Sequence, residues 1–296
     1  MKPQRCLYTL MFSPQERHEE VLRTFVTPLV GAVRDAPELD SLFFARYNVP
    51  DWQLRFRVLG RPDWVDGPVR DMVATRLRPL RESGLVGEVE FAEYQREYER
   101  YGGEEGMALC ESIFLHDTLA CLDLIDVESK GGLGKSRREY SIVMTERFLD
   151  LMRFDRAHRL AFYRFGYQWV VDGGYWKPDD FVVLEKRYQE LKPGLVALLD
   201  REGDRDEAWG GSEAARIANA CLEATRPVVD ELLVAHAAGR IPVELPYLAW
   251  SLTHMHSNRL GIDATPEAIL RYFLTRLYED GQVETTPDPI GSTGTS

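Results

Sequence analysis

A change of period at Gly102-Gly103 constrains this chain more than any other feature. Before that pair, short runs alternate apolar and polar residues, as half-buried strands do. After it, apolar residues recur at the spacing of a helix. The first run, RCLYTLMF at 5–12, reads as a strand, and Ser13-Pro14 behind it is a helix start. Val21, Phe25, Leu29 and Val33 carry that helix to about Arg34, with Pro28 expected to kink or break it. Strands are expected at 42–47 and 52–59, then a helix to about Arg81 and a strand-like run at 86–95. Beyond the glycine pair the spacing predicts helices over 107–126, 138–155, 158–171, 178–200, 212–238, 245–258 and 265–280. The breaks fall at 130–135, Gly173-Gly174, 203–206 and 242–246. The expected fold class is α/β (α+β), an N-terminal mixed α/β sheet region followed by a mostly helical remainder. It is expected to form a single domain over 1–284, with the α/β part at about 1–103 and the helical part at about 104–284. Residues 285–296, polar and rich in Pro and Gly, are expected to be a disordered tail.

Three places combine residues suited to chemistry. In NVPDWQLRFRV (48–58), strand alternation puts Trp52, Leu54, Phe56 and Val58 on one face and Gln53, Arg55 and Arg57 on the other. Two arginines side by side repel unless they meet anions, and a guanidinium fork suits carboxylates or phosphates. The same pattern also fits a half-exposed strand whose polar face meets water. In YQREYERYGG (94–103), Glu97, Glu99 and Arg100 precede a Gly-Gly turn that opens a long helix. They either face a cleft together or form a surface charge cluster. In AWSLTHMHSNRLG (249–261), helical spacing puts Tyr247, Trp250, Ser251, His254 and Asn258 on one stripe, beside Leu248, Leu252 and Met255. His254 suits proton transfer near neutral pH, or is an ordinary helix histidine. His254 and His256 diverge two residues apart on a helix, so no metal site is expected there.

The bulk composition excludes several classes. A formal charge of −12 and a pI near 5.1 argue against general nucleic-acid binding, which needs a basic surface. Cys6, Cys110, Cys121 and Cys221 form no CxxC pair, and Cys110 and Cys121 sit in an apolar helical run. Buried thiols in a reducing cytoplasm are the expectation. No apolar run reaches the length of a membrane span and none follows a basic start at the N-terminus, so neither membrane spanning nor secretion is expected.

Taken in order, the three motifs resemble the glutamate-elimination (small) domain of lantibiotic dehydratases. FFARYNVPDWQLRFRV is similar to that domain's arginine-rich strand pair, written as an aromatic-x-Arg-Tyr-x-x-Pro stretch followed by His-Leu-Arg-x-Arg. YQREYERYGGEEGMALCESIFLHDTLACLDLI resembles its Glu-x-x-Arg-Tyr-Gly-Gly motif and the helix after it. SLTHMHSNRLGI is similar to its His-Met-x-x-Asn-Arg-Leu helix. The resemblance runs from residue 7 to 280, with Gln53 where the family has His and Val49 where it has Asp.

The resemblance implies an antibiotic-peptide tailoring enzyme of lanthipeptide or thiopeptide (bacteriocin) biosynthesis. Such an enzyme removes glutamate from glutamylated serine or threonine by β-elimination, leaving a dehydroamino acid. It further implies that Arg55 and Arg57 bind glutamate and that Arg100 joins them or steadies the enolate. Glu97 would orient groups or relay protons, and His254 would act as general acid or base. Arg46, Asn258 and Arg259 look like supporting residues, and Trp250 is grouped with the substrate-binding set. No cofactor or metal is implied. The implied partners are a precursor peptide and a separate glutamylation subunit that uses glutamyl-tRNA, with a homodimer expected and direct nucleic-acid contact not. Two other functions fit the pattern: a formal [4+2] cycloaddition that joins two dehydroalanines into a pyridine and releases the leader peptide, and a non-catalytic scaffold that binds the leader by strand addition.

Overall fold

A computed structural model describes residues 4–200 and 205–283. The tail expected at 285–296 lies outside these residues, as do Gly203 and Asp204 of one expected break. Strand β1 (Arg5–Phe12) leads into α1, a helical run over 15–33, and then the hairpin β2 (Leu39–Tyr47) and β3 (Gln53–Gly60). A second helical run, α2 over 62–82, precedes the short strand β4 (Val89–Ala92). The sheet order is β2-β3-β1-β4, antiparallel throughout. A β-α-β-β-α-β chain with this order is a split βαβ unit, with β3 between the two strands that α1 connects.

Strand alternation sorts the sheet into two buried faces. Leu7, Met11, Leu42, Phe44, Leu54, Phe56 and Val58 pack against α1 and α2 through Phe25, Leu29, Val69 and Val73. Phe43, Ala45 and Leu59 point the other way, into the core of the helical remainder. The second face is therefore largely covered: Gln53 is 0% exposed and Arg57 only 7%, while Arg55 between them is part-exposed. This counts against a polar face of β3 open to water along its length and puts Arg57 between the sheet and the helices.

Pro28 does not break α1. The turn just ahead of it, Leu22–Val26, widens to π geometry, which accommodates a ring that would clash with the carbonyl one turn back. Pro68 lies inside the same kind of turn, Val65–Val69, in α2. The strand expected over 86–95 shortens to Val89–Ala92 because the chain then crosses the sheet. Tyr94 packs its ring on Tyr8 at 6.2 Å and on Phe43 at 5.9 Å.

The helical part comprises α3 (Gly103–Ser129), α4 (Arg137–Leu151), α5 (Arg156–Asp172), α6 (Pro178–Leu199), α7 (Arg205–Trp209), α8 (Ser212–Ala237), α9 (Leu245–Arg259) and α10 (Ala264–Glu279). A capping box starts α4: Ser136 accepts from the Glu139 amide, and Glu139 accepts from the Ser136 amide. That helix ends earlier than its spacing suggested, and Arg153 just beyond it takes φ 57. Helix α3 spans both parts. Its Glu111 carbonyl accepts from Ser41 Oγ of β2 at 2.6 Å, and its Leu122 and Ile125 join the α1–α2 core. Cys110, Cys121 and Cys221 are buried free thiols, and Cys6 is half-buried. Among the described residues no helix is long and apolar enough to cross a membrane.

Candidate active site between sheet and helices

On the second sheet face, Arg57 is enclosed by rings. Its guanidinium lies 4.1 Å from the Tyr8 centroid, 4.9 Å from Tyr94 and 5.1 Å from Phe43. These contacts favour the cation but saturate few of its donors, and its buried Nε has no hydrogen-bond partner. Arg55, the next residue on that face, lies 3.7 Å over Tyr47. Gln53 closes the hairpin by donating to the carbonyls of Val49 at 3.1 Å and Asp51 at 3.2 Å. Its amide oxygen accepts from Arg55 Nε at 3.1 Å. Gln53 thus holds the turn and aims the first arginine.

The Glu97–Gly103 turn brings a third arginine to the helical side. Gly102 and Gly103 adopt φ 79 and 88, and a Cβ on Gly102 would come 2.4 Å from Ile241 Cγ2. Only glycine serves at Gly102, on conformation and on space alike. Arg100 pairs with Glu97 at 3.0 Å and donates from Nε to Ser251 Oγ at 3.1 Å. Its guanidinium lies 5.5 Å from the rings of both Tyr101 and Trp250.

Helix α9 presents two histidines in opposite settings. The His254 ring stacks on Trp250, centroids 5.4 Å apart and 13° from parallel. Its Nδ1 lies 2.6 Å from Glu267 Oε2 of α10, while Glu267 Oε1 accepts from Arg271 at 3.1 Å. Burial alone would raise the Glu267 carboxyl, but His254 and Arg271 outweigh it and hold the group below its ordinary range. His256 turns into the core, where its Nδ1 lies 2.6 Å from Asp117 Oδ1. Arg259 donates to the other Asp117 oxygen at 2.6 Å. Burial would raise Asp117, but these two partners hold it down at about 2.

Arg100, Glu97, Trp250 and His254 therefore form one run of contacts, and Arg55 and Arg57 share the sheet face that the helices cover. A chain of rings links the two groups: Arg57 over Phe43, Phe43 to Phe114 at 5.1 Å, Phe114 to Tyr101 at 5.5 Å, and Tyr101 to Arg100. Arg46, Asn258 and Arg259, which the resemblance gave as supporting residues for substrate binding, are engaged by other groups of the protein. Asn258 accepts from the Arg46 amide and donates to its carbonyl, both at 2.8 Å, in the manner of an added strand. Arg46 pairs with Glu19 at 2.9 Å, and Arg259 is 0% exposed and donates to the Phe44 carbonyl at 3.0 Å. This cluster clamps α9 to β2, so it holds the helix that carries His254.

Among the described residues, Asp117, Cys121 and His256 bring ligand atoms within 4.8 Å of one another, the spacing of a metal site. Both Asp117 oxygens are already taken, one by the fixed cation Arg259, so the group acts as an ion-pair network. Sequence reasoning missed Glu267 and Arg271, whose i, i+4 spacing looks like a helix-surface pair. It also missed the Tyr8, Tyr47 and Tyr94 rings around the strand arginines.

The family model described as lantibiotic biosynthesis dehydratase C-term matches residues 7–278. Subtilin biosynthesis protein SpaB of Bacillus subtilis is 27% identical over 156 residues, covering 53% of this chain and 15% of SpaB. The fold matches the tRNA-dependent lantibiotic dehydratase MibB from Microbispora sp. 107891 with a TM-score of 0.64 at 22% identity, over 93% of this chain and 28% of MibB. It matches the pyridine synthase TbtD from thiomuracin biosynthesis with a TM-score of 0.66 at 12% identity, over 94% of this chain and 99% of TbtD. The chain thus spans a small part of SpaB and MibB but nearly all of TbtD. With its three motifs in order on the matching scaffold, the chain belongs to the lantibiotic biosynthesis dehydratase C-terminal family.

Proposed function

We propose that this protein eliminates glutamate from glutamylated serine or threonine in a precursor peptide, working in the cytoplasm alongside a tRNA-dependent glutamylation activity. One observation carries the proposal: Arg100 and His254 both lie against the Trp250 indole, so a fixed cation and a carboxylate-backed imidazole flank one aromatic surface. An α-proton beside an amide needs a base and a cation for the developing enolate oxygen, and these two groups supply them. His254 takes the Cα proton. The electron pair passes through the enolate, steadied by Arg100, into the Cα=Cβ bond. The Cβ–O bond then breaks with its electrons on the departing glutamate carboxylate, which Arg55 and Arg57 receive. Glu97 keeps Arg100 in place. The products are free glutamate and dehydroalanine or dehydrobutyrine.

A second reading, pyridine formation by joining two dehydroalanines, is favoured by the end-to-end fold match with TbtD. Mass spectrometry separates the two. The purified protein is incubated with a glutamylated peptide and, separately, with a peptide already carrying dehydroalanines. Loss of glutamate from the first supports elimination, with Arg57→Ala and His254→Gln expected to abolish it. Reaction of the second alone, with release of its leader, replaces elimination by cycloaddition. A peptide that binds but never reacts ends both readings in favour of a scaffold.

A further inference from the structure

We propose that Glu267, held by Arg271, is a positioning residue that fixes the tautomer of His254, so that Nε2 is the nitrogen that exchanges the proton with the peptide. This rests on the acid–base role given to His254 above. Glu267 is 3% exposed, and its Oε1 is taken by Arg271, which leaves Oε2 for the imidazole at 2.6 Å. An ionised carboxylate only accepts hydrogen bonds, so the proton between the two groups sits on Nδ1. The lone pair of the neutral ring is then on Nε2, at the far edge of a side chain that is 27% exposed.

Two further contacts keep this arrangement from relaxing. The Trp250 indole stacks on the imidazole, so rotation of the ring would give up both the stack and the Glu267 bond. Arg271 is buried over Phe162 at 4.9 Å and donates to Thr253 Oγ1 at 3.1 Å, so its position does not depend on His254. Room for it comes from Gly166 in the middle of α5, where a Cβ would lie 2.8 Å from Arg271 Cγ. A glycine inside a helix is destabilising relative to alanine, and here that cost goes with space for the guanidinium. When Nε2 takes a proton, the imidazolium forms against an anion already in place. A base oriented by a third group is the general logic of an activated proton-transfer pair.

The test combines 15N NMR of histidine-labelled protein with steady-state kinetics on a glutamylated peptide. The wild type should show a protonated Nδ1 and an unprotonated Nε2 for His254, assigned by loss of the signals in His254→Gln. In Glu267→Gln that tautomer should be lost or mixed, and kcat should fall at least about 10-fold while KM changes by less than about twofold. Glu267→Asp keeps a carboxylate for Arg271 but withdraws it from Nδ1. It should fold, and it should lose kcat in the same direction by a smaller factor, which keeps the test alive if Glu267→Gln does not fold. Full kcat and an unchanged tautomer in both Glu267 variants, with His254→Gln inactive, would overturn this inference alone. Full activity of His254→Gln would instead overturn the acid–base assignment, and this inference with it.

Discussion

His254 and His256 stand two residues apart on one helix, and each has its Nδ1 2.6 Å from a carboxylate. A step of two residues turns a helix by about 200°, so the rings leave α9 in nearly opposite directions. The His254 side chain keeps 27% of its surface and His256 only 6%. His256 meets Asp117 together with Arg259, inside the contact that joins α9, α3 and the sheet. His254 meets Glu267 at the edge of that contact, beside Trp250 and near Arg100. The same chemical pair is built twice. Each carboxylate is shared with an arginine, so the difference lies in the imidazole: His256 is enclosed, while His254 keeps an exposed edge, as the proton-transfer role proposed for it requires.

The largest test of this contrast is Asp117→Ala. It strands the buried Arg259 charge and should cost about 3–5 kcal/mol of unfolding free energy by urea titration. A cost under about 1 kcal/mol would mean that the inner pair holds nothing. The outer pair should answer the other way. His254→Gln should cut the elimination rate by about 10²–10⁴-fold and shift unfolding by less than about 1 kcal/mol. A destabilisation as large as that of Asp117→Ala would erase the distinction.

Acid sharpens the inner half further. Asp117 titrates at about 2 in the folded protein against an ordinary 3.8, so the unfolded chain takes up this proton first. Its contribution, on the order of 2 kcal/mol, is complete above about pH 4 and is lost as pH falls toward 2. The stability gap between wild type and Asp117→Ala should therefore narrow over that window. The smallest effect is expected from Asn258→Ala, which unpairs the Arg46 amide and carbonyl. It should cost about 1–2 kcal/mol and lower activity only as far as it loosens α9.

Much of this was legible in the sequence where the cause is local. The alternation in 52–59 marked which strand face is apolar, and Gly102-Gly103 marked a turn that needs positive φ. The i, i+3 and i+4 spacing of Trp250, Ser251 and His254 put them on one stripe, and that stripe does meet Arg100. Pro28 was less legible, because a proline in a helical run signals strain without saying whether the helix breaks or widens. The resemblance gave Arg46, Asn258 and Arg259 as supporting residues, but the contacts through which they support α9 were not legible. Asn258 bonds to a residue 212 positions away, and nothing near either residue announces the pairing.

The sequence by itself determined the order of elements, the apolar faces and the family, since period, turn residues and motif spacing act over a few neighbouring positions. Only the tertiary structure decided that the polar face of β3 is largely covered, that Arg57 sits among Tyr8, Phe43 and Tyr94, and that Glu267 rather than Asp117 backs His254. Those outcomes depend on desolvation and on partners brought by separate elements. A side chain's charge and availability are set by everything that packs around it, and no local window of the chain contains that information.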